Sequence, residues 1–301
     1  MERFFTPTAG RTWESGTFGC VRGEGWQLHE GIDILCTQRD KHGEPTDPIL
    51  ATADGTVSYF NPHAALSNYG KYIVLQHTVD GLEVFSLYAH LSEINAALKT
   101  GQRIRAGEVI GIMGRTSNTR ERITTDRAHL HFELNLFLNE HFSDWYKKNL
   151  PGERNDHGIW NGQNMAGMDL RLILLQQARL GTNFNLLHFV RNQTELCRVL
   201  VRKTNFSFLQ RYQPLVWQNP VASRDGIVAY EVSLDYSGLP FKLVPRAESE
   251  LQAIKGHAKF TLLSVNEKEE RNCPCRKLVT QKTGHWALGQ HGIQLLELLT
   301  W

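Results

Sequence analysis

The sequence predicts a mainly β N-terminal part, an antiparallel sheet with an open groove, followed by an α+β C-terminal part. Three observations lead there. Residues 15–138 read as short β-rich runs separated by turn signals. Apolar residues then recur at helical spacing over Met168–Arg179 and Phe184–Arg202. Beyond Val221 the β-rich runs return. We therefore expect one unit over residues 1–175, with its core at about 15–138, and a second over 176–301.

Each element has its own signal. Ala53-Asp54-Gly55-Thr56-Val57 carries the Asp-Gly dipeptide typical of hairpins. Lys71–His77 and Leu82–Tyr88 flank Val79-Asp80-Gly81 and predict a second hairpin. Arg103–Met113 contains two strand fragments about a tight Ala106-Gly107 turn. Phe142–Asn164 is loop-rich. In the second unit, strands are expected at Ile227–Leu234, Leu239–Val244 and Phe260–Val265, and in the run ending Leu295-Leu296-Glu297-Leu298-Leu299. No motif in residues 176–301 points to a chemistry.

Composition narrows the function. The chain has 301 residues, enough for two compact units, and 41% hydrophobic with 10% aromatic residues is ordinary for a globular protein. The formal net charge is +2, with basic residues scattered, so no nucleic-acid-binding stripe is expected. No apolar run has the length of a transmembrane segment. Five cysteines suit neither a disulfide scaffold nor a zinc ribbon. Cys20 and Cys36 would pair if their strands are neighbours, and Cys197 reads as a helical core residue. Cys273-Pro274-Cys275 is half of a metal clip without its partner pair, and a plain loop or a vicinal-type bridge is the stronger reading.

The chemistry lies in the first half. His29-Glu30-Gly31-Ile32-Asp33 is followed by Tyr88-Ala89-His90-Leu91-Ser92 and then His129-Leu130-His131-Phe132-Glu133. In a strand, residues i, i+2 and i+4 share a face, which groups His129 with His131 and His29 with Asp33. Leu130 and Phe132 then turn inward. Two histidines and a carboxylate can hold zinc and leave a fourth position open, as a catalytic site requires. An H-x-H pair alone decides nothing, since 13 histidines in 301 residues give roughly 0.6 such pairs by chance. His42, His63, His77, His141, His157, His188, His257, His285 and His291 lie in no ligand spacing and are read as structural or solvated.

The flanking words add specificity. Phe18-Gly19, the His29–Asp33 motif, Ala51–Val57, Tyr69–Val74, Tyr88–Ser92, Gly107–Gly111 and His129–Glu133 together resemble the lysostaphin/LytM-type zinc metallopeptidases, which cut peptide bonds in bacterial peptidoglycan. The resemblance covers roughly residues 15–138. It implies one zinc ion held by His29, Asp33 and His131, with His90 and His129 as non-ligand catalytic residues. Some relatives lack ligands and act as regulators of other wall hydrolases, whereas this chain keeps all five positions. It departs from the family in a longer segment before H-x-H, Thr116–Arg127, where relatives have a short Gly-rich turn.

These residues imply a mechanism. There is no H-E-x-x-H helix, so a histidine must serve as base. His129 is expected to take the proton of a zinc-activated water. His90 is expected to stabilise the oxyanion or protonate the leaving amine, with the division of roles left open. Glu30 alternates away from His29 and is left out of the ligand set. Two alternatives stand beside the endopeptidase: a peptidoglycan-binding or hydrolase-activating protein with a retained metal site, and a zinc amidase of the sugar–peptide bond. Arg115, Arg120, Arg122 and Arg127 crowd the segment before His129, against Glu121 and Asp126. They are either a solvated charged loop or binders of the carboxylates of stem peptides, which would favour acid-rich stems over glycine bridges. Such a substrate implies a periplasmic or secreted protein, yet Met1-Glu2-Arg3-Phe4-Phe5 lacks the charged start and apolar core of a secretory leader. The expectation is that a leader is missing from this form of the chain. The sequence leaves the oligomeric state open.

Overall fold

The computed structural model describes residues 2–120, 122–254 and 256–301. Met1 of the N-terminal segment and Glu121 of the arginine-rich segment lie outside the described residues. The first half contains β1 (Gly19–Arg22), β2 (Gln27–His29), β3 (Ile32–Leu35), β4 (Pro48–Leu50), β5 (Gly55–Asn61), β6 (Lys71–Val79), β7 (Leu82–Leu91), β8 (Glu93–Ile94), β9 (Arg103–Ile104), β10 (Val109–Ile112) and β11 (His129–Phe137). The short strand β12 (Met165–Gly167) completes this part. The pairings are antiparallel throughout. The main sheet runs β12-β11-β7-β6-β5-β9, with β3 pairing β11 on the edge away from β7, and a small sheet β4-β10-β8 lies apart from it.

The two faces of the main sheet differ in chemistry. One packs Ile32, Ile73, Leu75, Tyr88, Leu130 and Phe132 into an apolar core with Phe5 and Phe18. The other carries Tyr72, Val74, Phe85, Leu87, Ala89 and Phe137, against which Tyr59, Tyr69 and Trp160 pack. Leu130 and Phe132 turn inward as alternation requires, and so leave His129 and His131 on the opposite face.

The hairpin through Asp80-Gly81 is present, with Val79 opposite Leu82. The Asp54-Gly55 turn makes no hairpin, because β4 pairs with β10 while β5 pairs with β6 and β9. Its aspartate is used otherwise: Asp54 Oδ1 accepts from the backbone N–H of Ala106 at 2.8 Å and ties two turns together. Within the loop-rich stretch after β11, Phe142, Trp145 and Tyr146 fall at i, i+3 and i+4 and bury the face of helix α1 (Phe142–Asn149).

The rest of the chain holds α2 (Leu170–Leu180), α3 (Leu186–Arg191), β13 (Cys197–Val201), α4 (Ser207–Arg211), α5 (Pro220–Asp225), β14 (Ala229–Leu234), β15 (Pro240–Arg246), β16 (Phe260–Val265), α6 (Glu267–Asn272), β17 (Val279–Lys282), β18 (His285–Leu288) and α7 (Gln290–Leu299). Its main sheet is antiparallel in the order β15-β14-β13-β16. Two expectations are corrected. Cys197 lies in a strand, because the helical pattern ends at Arg191 and the run Cys197–Val201 buries Cys197, Val199 and Val201 by alternation. The final leucine run is helical: Gly292, Leu295, Leu296 and Leu299 are buried at helical spacing, a distinction that a short apolar run does not reveal.

The core of this region continues into the first half. Leu82, Val84, Leu136 and Leu138 pack in one cluster with Phe142, Val199, Val232, Leu243 and Leu296. Tyr212 Oη accepts from the N–H of Phe137 at 2.7 Å, and Arg211 pairs with Glu83 and Glu140. Cys20 bonds covalently to Cys275, 255 positions away, while Cys36 and Cys273 are free. The Cys20–Cys36 pairing is therefore replaced. Cys36 is buried and directs its thiol to Asp47, which with burial pushes it up to about 11.

A bridge closing so long a loop removes much unfolded-state entropy. The Cys20→Ser/Cys275→Ser variant is expected to lose about 2–4 kcal/mol in urea unfolding. A midpoint and slope equal to the parent's would contradict it.

Candidate metal centre and active site

The centre forms where β3, β7 and β11 lie side by side. His131 of β11 stands opposite Asp33 of β3 and, on its other flank, Ala89 of β7. Asp33 and His131 are thus cross-strand neighbours on one face. His29 reaches them from the end of β2. The chain breaks strand geometry at Glu30-Gly31 before β3 begins, so His29 and Asp33 do not share one strand as the spacing suggested. Gly31 permits the break: a Cβ there would lie 2.5 Å from the Phe132 carbonyl oxygen.

Four histidines are held by their outer ring nitrogens. His29 donates from Nδ1 to the Thr17 carbonyl (2.8 Å), His90 to the Thr116 carbonyl (2.8 Å) and His129 to the Arg127 carbonyl (2.7 Å). His131 donates from Nε2 to Glu133 Oε1 (2.8 Å). A carbonyl or carboxylate oxygen only accepts, so the outer nitrogen carries a proton and the inner nitrogen faces the centre; His131, bonded to a carboxylate at both nitrogens, must give up its inner proton to bind a metal. Glu133 is fixed in turn by Tyr69 Oη (2.8 Å) and Asn135 Nδ2 (2.9 Å).

The inner atoms fit a metal. His29 Nε2, His131 Nδ1 and Asp33 Oδ1 are 3.1, 3.0 and 3.1 Å from one another. A tetrahedral zinc with bonds near 2.0–2.1 Å has neighbouring donors about 3.3 Å apart, so these atoms form one face of such a tetrahedron. They are the His/Cys/Asp/Glu group able to hold an ion among the described residues. Outer-shell support of His131 by a carboxylate and of His29 by a carbonyl is the usual arrangement for metal-ligating histidines.

Without a metal, the Asp33 carboxylate is balanced by its own cationic neighbours. Burial works against charge at Asp33, but His29 and His129 outweigh it and hold its carboxyl well below the usual range. Burial likewise opposes charge on His131, yet hydrogen bonds to Asp33 and Glu133 push it up to about 10. The Arg22 guanidinium stands against the same group, with Nη2 3.1 Å from His29 Nε2 and donating to Asp33 Oδ2. Arg22, Thr17, Tyr69 and Glu133 were not singled out as site residues. Glu133 alone had a visible signal, its i+2 spacing from His131.

His90 and His129 complete the cluster, their ring centroids 4.9 Å apart. His129 Nε2 lies 3.5 Å from Asp33 Oδ1. Strict alternation along β7 would put His90 on the side of Tyr88, in the apolar core. Instead the β6–β7 register shifts between Lys71 and Ile73, and His90 adopts φ 61°. This irregularity turns the ring to the metal-ligand face, a common use of bulges and strained backbone beside active sites. Burial, with His129 and His131 as neighbours, lowers His90 to about 3, and burial also lowers His129. Both rings are therefore neutral near pH 7.

The remaining residues divide. Glu30 is half-buried, and desolvation and Glu133 raise its carboxyl, so it is a poor competitor for the ion. Arg122 and Arg127 line the same cleft; Arg127 also donates from Nε to the Pro7 carbonyl. Arg115 is engaged by both carboxylate oxygens of Glu44 (2.9 and 2.6 Å), and Arg120 is outside the lining. His157, read as a solvated loop residue, is buried and bonded to Tyr59 Oη and the Leu66 carbonyl. His291 is exposed at the cleft.

Residues 27–144 match the model of peptidase family M23, and the matched stretch contains all five motif residues. This stretch, under half of the chain, is similar to that family, in agreement with the lysostaphin/LytM resemblance of the motifs. Among solved structures, the chain is similar to the catalytic domain of the antimicrobial peptidase lysostaphin from Staphylococcus simulans. Identity is 23%, covering 44% of this chain and 74% of that one, with a TM-score of 0.27. It is similar to a mutant catalytic domain of the prophage-encoded M23 protein EnpA from Enterococcus faecalis, at 24% identity, 43% and 85% coverage and a TM-score of 0.30. A zinc-containing peptidase from Vibrio cholerae is matched at 26% identity over 44% of this chain and 31% of that one, with a TM-score of 0.25. No curated protein matches.

Glu133 supports a ligand without belonging to the ligand set. Glu133→Gln is expected to weaken zinc affinity about 10–100-fold, as outer-shell changes typically do. Chelator competition measures this, and unchanged affinity would show that His131 needs no carboxylate behind it.

Proposed function

We propose that the chain is a zinc-dependent endopeptidase hydrolysing peptide cross-links or stem peptides of bacterial peptidoglycan. The observation that carries this reading is the set of four clustered imidazoles, three of them buried, each with its outer N–H held and its inner nitrogen turned to one centre. The family match over the same residues supplies the reaction class. His29, Asp33 and His131 would hold one zinc ion. When bound, zinc acidifies a coordinated water to near neutrality and polarises the scissile carbonyl.

The protein's own groups do the rest. His129, neutral and with Nε2 unprotonated, accepts a proton from the attacking water. The Arg127 carbonyl keeps its Nδ1–H in place and stabilises the imidazolium that forms. His90 is built the same way against Thr116, so its free Nε2 can take up the water's proton in place of His129, and whichever histidine holds that proton passes it to the leaving amine. Arg122 and Arg127 are substrate-binding candidates at the cleft, whereas Arg115 is held by Glu44. We assign catalysis to residues 1–175, leave 176–301 as a second unit, and infer a periplasmic or secreted site of action. No helix among the described residues is long and apolar enough to cross a membrane.

Replacing His29, Asp33 or His131 by Ala should remove zinc and activity together, since a missing ligand is not offset by the other two. Full zinc content in a His131→Ala protein would overturn the ligand assignment. His90→Ala and His129→Ala should retain zinc and lose about 10²–10⁴-fold in turnover. A parent-like rate in either would remove that histidine from the mechanism. Mass analysis of digested sacculi identifies the bond: cleaved cross-links or stems support the endopeptidase, and intact stems freed from glycan identify an amidase.

A further inference from the structure

We propose that Arg276, outside the family-matched stretch, binds a carboxylate of the peptide substrate and is kept at the cleft by the Cys20–Cys275 disulfide. This rests on the peptidase reading and extends it to substrate selection.

Arg276 lines the same cleft as His29, His90, His129 and His131. It directly follows Cys275, whose partner Cys20 lies on β1, two residues before Arg22. The segment is braced further. Tyr236 packs against Phe18, and Lys277 lies over the Trp26 ring. Arg276 Nε donates to the Ser237 carbonyl (3.2 Å), and its own carbonyl accepts from His291 Nδ1 (3.0 Å). Backbone and Nε are thus anchored. The two terminal nitrogens form no ion pair among the described residues, and arginine offers them as a planar pair suited to a carboxylate.

Arg127 lines the same cleft, so a peptide held there has two arginines within it, to which neutral glycine chains offer no partner.

Binding, separated from turnover, tests this. In zinc-loaded His129→Ala protein, calorimetry compares a cross-linked stem peptide bearing a free carboxylate with its carboxamide counterpart. The acid should bind about 10–100-fold more tightly, as a charge-assisted bidentate contact allows. Adding Arg276→Ala should reduce this preference to about threefold or less, at unchanged zinc content and melting temperature. Arg276→Lys should restore part of it, since it keeps the charge but not the fork. Cys20→Ser/Cys275→Ser should weaken the preference as well. Equal binding of acid and amide before Arg276 is changed, or an unaltered preference afterwards, overturns the proposal. Cleavage by the parent is read separately, so failure of the peptidase reading is distinguishable from failure of this one.

Discussion

The functional centre depends on one constraint: four imidazoles must expose unprotonated nitrogens to a single buried space. A buried imidazole is useful there only if its other nitrogen is satisfied. The fold meets the requirement with three backbone carbonyls, from Thr17, Thr116 and Arg127, and one carboxylate, Glu133. Thr17 and Thr116 come from segments remote from the histidines they hold, whereas Arg127 and Glu133 lie two residues from theirs. The site is therefore a product of the packing of these segments, and the histidines take their tautomers from the chain around them.

Two backbone irregularities make this packing possible. Gly31 lets the chain leave β2 and enter β3 against the Phe132 carbonyl, which brings His29 and Asp33 to the same place. The left-handed His90, at the β6–β7 register shift, turns a ring from the core side to the active face. Gly70 and Gly114 accommodate that distortion. A Cβ on Gly70 would collide with the Thr116 carbonyl that holds His90, and one on Gly114 with the Ser92 nitrogen. Local strain at His90 persists because closely packed backbone on both sides leaves it no alternative.

The C-terminal region packs directly against the first half. Its leucines and aromatics share a core with β7 and β11, and its disulfide ends on the strand that leads to His29. The cleft is consequently lined both by the family-matched stretch and by Ser237, Arg276 and His291 from beyond it. Those later residues can alter what enters the cleft without changing His29, Asp33 or His131.

The sequence by itself determined the β character of the first half, the hairpin through Asp80-Gly81, and five residues that converge on one centre. The first two are local, since alternation and turn dipeptides act over a few residues, while the five residues were picked out by the resemblance of their motifs to a known peptidase family. Tertiary structure decided the rest. Cys20 found Cys275 because strand proximity, and no spacing rule, sets disulfide partners. The last leucine run became a helix because its buried residues face the common core with 3.6-residue spacing, which so short an apolar run conceals. Arg115 was drawn to Glu44, 71 residues earlier, while Arg122 and Arg127 reached the cleft. His90 reached the active face only through a bulge that breaks the alternation by which its neighbours are read. Pairings across such distances depend on where the folded chain brings side chains, and nothing in the local pattern encodes them.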